Sequence, residues 1–301
     1  MGDSDKILER KALNRKLFIW RVLAVVMTVA LLFFACSKAP NLKAMSYIAS
    51  ISISGEILED PIREKKLSDI AKDSKIKALI VNINSPGGTS YGGESLYNSI
   101  AKIKAKKPVV VVMGTMATSA GYMAALSADH IIARNSTITA SIGALFLSMR
   151  YGELTKKLGV NFVVLKKGKL KAEPLPFGGP ISEEAKKMID SLLDDQYGMF
   201  LDMVLKHRKL SNASIEVIAD GRVLTGSQAF KYGLIDQIGA TDEALAWLSS
   251  RGISVKSLKV IDIPLYDPNN MKKIFYFKDI KSVIKDIIRI FSGISMENIQ
   301  L

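Results

Sequence analysis

Hydrophobic and polar positions change period repeatedly along this chain of 301 residues, and each change predicts an element. Tyr47-Ile48-Ala49-Ser50-Ile51-Ser52-Ile53 alternates, as a half-buried strand does, and Gly55 ends it. Residues 61–72 open on Pro61 and carry leucine and isoleucine behind a polar face, which predicts a helix. Ala78 to Ile83 is a second strand and runs directly into Asn84-Ser85-Pro86-Gly87-Gly88. A helix is expected over 91–103. Val109 to Met113 is an apolar β-branched run of buried-strand length, expected to break at Gly114. Tyr122-Met123-Ala124-Ala125-Leu126 then reads as a helix packed all round. Short strands are expected at 130–133 and 137–142, a short helix at 151–158, and a strand at 161–165. Strand, helix, strand, helix is the order of an α/β domain with parallel pairing.

Further on, Met188, Leu192, Leu193, Tyr197, Phe200, Leu201 and Val204 form one broad stripe, predicting a long amphipathic helix over 181–210. Shorter units follow at 214–219, 221–226 and 228–232, with a helix at 241–248 and a strand at 258–263. Beyond residue 265, Ile280, Val283, Ile284, Ile287, Ile288 and Phe291 recur at helical spacing among Lys281, Lys285 and Arg289. That pattern fits a basic helix docked on the body or lying on a membrane.

The N-terminal pattern is different. Residues 1–16 are polar and rich in lysine and arginine, and Leu17 to Cys36 is apolar except for Arg21. Twenty such residues just cross a bilayer, with Arg21 snorkelling to the headgroups. The positive excess ahead of the span places the N-terminus in the cytoplasm and the remainder outside it. A cleaved signal peptide and a lipoprotein signal at Cys36 compete, but Phe33-Phe34-Ala35 is a poor lipobox. The expected organisation is a tail at 1–16, an anchor at 17–36, a linker at 37–45, a catalytic domain at 46–264 and the basic C-terminal helix at 265–301.

Charge sharpens this picture. The formal net charge is +13, with 48% hydrophobic and 24% charged residues. The positives are spread without an aromatic-studded patch, which favours an anionic membrane surface over nucleic acid. The single cysteine excludes a disulfide framework or a cysteine zinc site within one chain. No metal or cofactor is expected.

Two stretches carry candidate chemistry. Ser119 sits at the turn between the Val109 strand and the next helix, among small neighbours. It reads either as a helix N-cap or as a nucleophile on a sharp strand-to-helix turn. Pro86-Gly87-Gly88 ends the neighbouring strand with backbone N–H groups unshielded by side chains, suited to an oxyanion or merely to a tight turn. If the two strands are adjacent and parallel, both features lie at the sheet edge where open α/β sheets bind ligands. The two histidines, His130 and His207, are poorly placed to serve as a base. A lysine can serve if it is neutral: a free one titrates near ~10.4, whereas a useful base needs roughly 7–8. Lys171, between Leu170 and Ala172, is the candidate, although solvated loop lysines are commoner.

NINSPGG at 82–88, KKPVVVVMGTMATSAGYMAALSADHIIA at 106–133, TASIGAL at 139–145, LKKGKLKAEP at 165–174 and ADGRVLTGSQAFKYGLIDQIG at 219–239 together resemble the signal peptide peptidase A family of S49 serine peptidases, in its short bacterial form. The resemblance implies an α/β, Clp-protease/crotonase-like fold with an N-terminal transmembrane helix in the bacterial inner membrane, the catalytic domain lying outside the cytoplasm. It implies a Ser–Lys dyad of Ser119 and Lys171, an oxyanion hole at Gly88 with Gly87 beside it, and Ser141 bonded to the lysine. It also implies a homo-oligomeric ring in which neighbouring protomers share the dyad. Expected substrates are released signal peptides and other apolar membrane-derived peptides, with apolar side pockets near Met116, Leu145 and Phe146. Two residues depart from the family pattern: Ala120 and Ala140 stand where glycine is usual. A crotonase-like acyl-CoA enzyme and a non-catalytic oligomeric membrane scaffold are the competing readings.

Overall fold

A computed structural model of the protein describes residues 16, 20–29, 31 and 46–265. The chain divides into two compact units, 1–45 and 46–301. In the first, residues 20–29 are helical. Both ends of the expected anchor, at 17–19 and 32–36, and all of the C-terminal basic segment beyond 265 lie outside the described residues. Among the described residues, no helix is long and apolar enough to cross a membrane.

The second unit is a mixed α/β fold. Its strands are β1 (Tyr47–Ser54), β2 (Ile76–Ser85), β3 (Val109–Thr118), β4 (His130–Ala133), β5 (Ile138–Ala140), β6 (Val223–Thr225), β7 (Gln237–Ile238) and β8 (Lys259–Asp262). The helices are α1 (Pro61–Lys72), α2 (Ser90–Lys104), α3 (Ala120–Ala125), α4 (Gly152–Lys157), α5 (Glu183–His207), α6 (Asn212–Ile218), α7 (Gly226–Lys231) and α8 (Thr241–Ser250). The strands form one sheet ordered β6-β5-β3-β2-β1-β8, with β4 on β3 and β7 on β4. All pairs are parallel except β5 with β6.

The local reasons are visible in the side chains. Asp60 caps α1 through Arg63 N–H, with Pro61 in the first turn, where its missing donor is harmless. Thr89 caps α2 and Ser182 caps α5 in the same manner. The first half of β3, Val109 to Met113, is buried on both faces, as a central parallel strand requires. Val109, Val111 and Met113 enter the large core with α1, α2 and α3, while Val110 and Val112 face Ala244 and Leu248 of α8.

Two expectations are corrected. Gly114 does not end the central strand, which continues to Thr118. The β2–β3 ladder shifts between Ile83 and Ser85, so that Ser85 pairs with Ala117, and the Asn84 side chain accepts from Met116 N–H at 3.1 Å across the irregularity. A bulge of this kind bends a strand and re-aims the residues beyond it. Upstream of it β3 pairs with β4; downstream it pairs with β5 and delivers Ser119 to the sheet edge. Residues 161–165, expected as a strand, are irregular, with Val163 85% and Leu165 93% exposed. Among the described residues, no neighbouring strand offers them a ladder. The long helix also packs only in part: Phe200 and Val204 are buried, whereas Leu192, on the same stripe, is exposed.

Candidate active site

Ser119 occupies the turn between β3 and α3 with φ 52° and ψ −122°. Non-glycine residues rarely adopt such a backbone, and they do so where surrounding structure holds the strain. Here the Ser119 N–H donates to Ala140 O at 2.8 Å, and Ser119 O accepts from Met123 N–H at 2.9 Å. The side chain makes no capping bond to α3. The N-cap alternative therefore fails: the turn presents the hydroxyl instead of using it on the helix.

The glycine loop lies against this serine. A Cβ on Gly87 would sit 2.8 Å from Ser119 Cβ and 3.3 Å from its Oγ, and Gly87 has φ +119°. Only glycine allows the loop to approach the hydroxyl this closely. Gly87 N–H donates to Ser85 Oγ at 3.1 Å, and Gly87 O accepts from Ile57 N–H at 2.7 Å. Ile57 O in turn accepts from Thr89 N–H at 3.1 Å. Among the described residues, the Gly88 N–H has no acceptor. Of the two glycines expected at the oxyanion, Gly87 thus shapes the loop while Gly88 carries the available donor. A Cβ on Gly88 would fall 2.0 Å from Ile57 O. Gly88→Ala must push the loop off the Ile57 strap, and kcat is expected to fall about 100-fold, the scale of losing one oxyanion donor. Steady-state kinetics beside a thermal melt separates this from unfolding.

Ser119, Gly87, Gly88 and Ser141 line one cleft of about 780 Å³, together with Glu56, Ser90, Leu145 and Gln196. Ser141 has φ 56° and its N–H donates to Arg222 O at 3.0 Å. Met116 and Phe146, expected in apolar side pockets, are not among the cleft residues; Leu145 is. The two departures from glycine are accommodated differently. Ala140 holds φ 68°, which costs an L-residue about 1–2 kcal/mol. Its carbonyl takes the Ser119 N–H, so the strained residue holds the turn at Ser119. Ala120 packs where a Cβ on Gly93 would come within 2.9 Å, so a glycine on the facing helix α2 makes room for its methyl.

Lys171 is exposed and does not line this cleft. Its N–H donates to Gly168 O at 3.2 Å. Two neighbouring lysines are engaged with carboxylates: Lys166 with Glu173 at 2.5 Å and Lys169 with Glu184 at 2.6 Å. The histidines are elsewhere. His130 stacks on Trp247 with ring centroids 5.0 Å apart and bonds Gln237. His207 Nε2 lies 2.6 Å from the Tyr97 hydroxyl. Burial first, then Lys104, Lys206 and Arg208, hold the His207 imidazole below its ordinary pKa.

A hydroxyl left free by its helix, lining one cleft with an N–H that has no acceptor among the described residues, is equipped to attack an acyl carbon and to hold the negative oxygen that results. That is the work of a serine hydrolase, and sequence comparison narrows it. The model of peptidase family S49 matches residues 101–255, and that of Clp protease matches residues 43–142. A protein of Synechocystis sp. named as a protease is 33% identical over 67% of this chain and 73% of its own length. One of Enterococcus faecium named signal peptide peptidase SppA is 35% identical over 60% of this chain and 52% of its own. Among solved structures, a membrane-bound stomatin-specific protease in complex with a substrate peptide is 20% identical, covering 80% of this chain and 99% of that one with a TM-score of 0.47. The chain belongs to peptidase family S49 and is a serine protease. The acyl-CoA and scaffold readings are set aside with that membership.

Proposed function

We propose that this protein is a membrane-anchored endopeptidase with a Ser119–Lys171 dyad, cleaving released signal peptides and other apolar membrane-derived peptides. Ser119 Oγ attacks the peptide carbonyl while a neutral Lys171 Nζ takes its proton. Gly88 N–H receives the oxyanion, and the protonated lysine passes its proton to the leaving amine. Water activated by the same amine then releases the acyl-enzyme. Ser141 hydrogen-bonds Nζ and orients it. The observation that carries this reading is the unspent Ser119 hydroxyl beside the unsatisfied Gly88 N–H in one cleft.

Lys171 lies outside the cleft of a single chain, so the reading includes a homo-oligomeric ring in which a neighbouring copy supplies it. The many exposed apolar side chains between Leu145 and Leu165 support this, because clustered exposed apolar residues mark contact surfaces. So does the uncovered half of α5. Anchoring through Leu17 to Cys36, with the catalytic body outside the cytoplasm against anionic lipid, rests on the charge and hydropathy of the N-terminal segment.

Activity-based labelling tests the proposal. The full chain in detergent, treated with a fluorophosphonate and digested, is expected to carry the adduct on Ser119 by mass spectrometry, unaffected by chelators. An adduct on any other serine, or none, would refute it.

A further inference from the structure

The Pro86-Gly87-Gly88 loop is fastened at three points, and they differ in origin. Ser85, on the loop's own strand, holds Gly87 N–H through its Oγ. Ile57, beyond β1, takes its hold through Gly87 O. The third point is Thr118, whose Oγ1 donates to Pro86 O at 2.8 Å. Thr118 is buried, ends β3 and directly precedes Ser119. Among the described residues, it is the one side chain bonded to the loop from the nucleophile's own strand. The first two bonds tie the loop to β2 and to Ile57; the third ties it to the residue that precedes the serine.

We propose that Thr118 is a positioning residue that sets the distance between the Ser119 hydroxyl and the Gly88 N–H. The inference rests on the reading of Gly88 as the oxyanion donor. Its physical basis is that an oxyanion donor acts only when it is already about 2.7–3.1 Å from where the charge will develop. The ladder between β2 and β3 resumes at Ser85 and Ala117 after its irregularity and ends there, so strand pairing stops one residue short of Pro86 and Thr118. The Thr118 hydroxyl carries the contact one residue past that last pair, at the end of the strand from which Ser119 follows. Because the tether touches neither substrate nor reacting atoms, its loss should act on the chemical step and leave substrate affinity alone.

Thr118→Val keeps the shape and removes the donor, whereas Thr118→Ser keeps the donor and removes the methyl. With a peptide substrate and the full chain, Thr118→Val is expected to lower kcat about tenfold, with KM within about twofold and fluorophosphonate labelling slowed in parallel. Thr118→Ser should keep kcat within about threefold. If Thr118→Val does not fold, Thr118→Ala makes the same comparison, since it too lacks the donor. The inference is overturned if the donor-less variant keeps kcat within twofold of the parent, if serine and valine are equally impaired, or if only KM moves. Failure of the parent protein to label at Ser119 would instead bring down the catalytic reading itself, which separates the two failures.

Discussion

Ser119→Ala is expected to reduce peptide hydrolysis by at least about 10⁴-fold and to abolish fluorophosphonate labelling, with the melting temperature nearly unchanged. The size of the loss is set by the machinery that remains. Without the hydroxyl no acyl-enzyme forms, and an intact oxyanion hole and cleft retain only the residual rate enhancement such sites give without their nucleophile. The unchanged stability comes from the turn. Ser119 is fastened by its backbone, through Ala140 O and Met123 N–H, and its side chain holds nothing in α3. Alanine at φ 52° is strained to much the same degree as serine. The measurement is a progress curve with a quenched peptide beside differential scanning fluorimetry. Residual labelling at a second serine would show that the nucleophile lies elsewhere.

Much of this site can be read from residue order, because its parts are small and local. A β-branched run followed by small residues and a serine forces a sharp turn, and Pro-Gly-Gly at the end of a parallel neighbour forces an open loop. Position alone excludes the two histidines, and each is engaged far from the cleft, His130 on Trp247 and His207 on Tyr97. The parts that escape such a reading depend on side chains meeting across long separations. Gly114 reads as a strand end because nothing nearby in sequence reveals that Asn84 bridges the irregularity and lets β3 run on. The division of labour between Gly87 and Gly88 is set by Ser85 and Ile57, and the Thr118 bond to Pro86 spans 32 residues. The apolar segment at 161–165 carries the composition of a strand, but a strand also needs a partner, and the described residues supply none.

Lys171 raises the same matter of partners, and it yields the second large effect. Lys171→Met is expected to lower kcat about 10³-fold, within the span of a lost general base, while the fold is unaffected because the side chain is exposed. Methionine preserves much of the stem and removes the amine. The loop offers its own controls. Lys166 and Lys169 are held in ion pairs with Glu173 and Glu184. Lys166→Met and Lys169→Met should therefore stay within about threefold of the parent. Lys167→Met tests the remaining exposed lysine of the loop, and a large loss there would move the base to it. If Lys171 acts across a subunit boundary, mixing Ser119→Ala with Lys171→Met protomers restores some activity. A mixed ring contains junctions that pair an intact serine with an intact lysine. If the dyad lies within one chain, every protomer in the mixture lacks one partner, and mixing restores nothing.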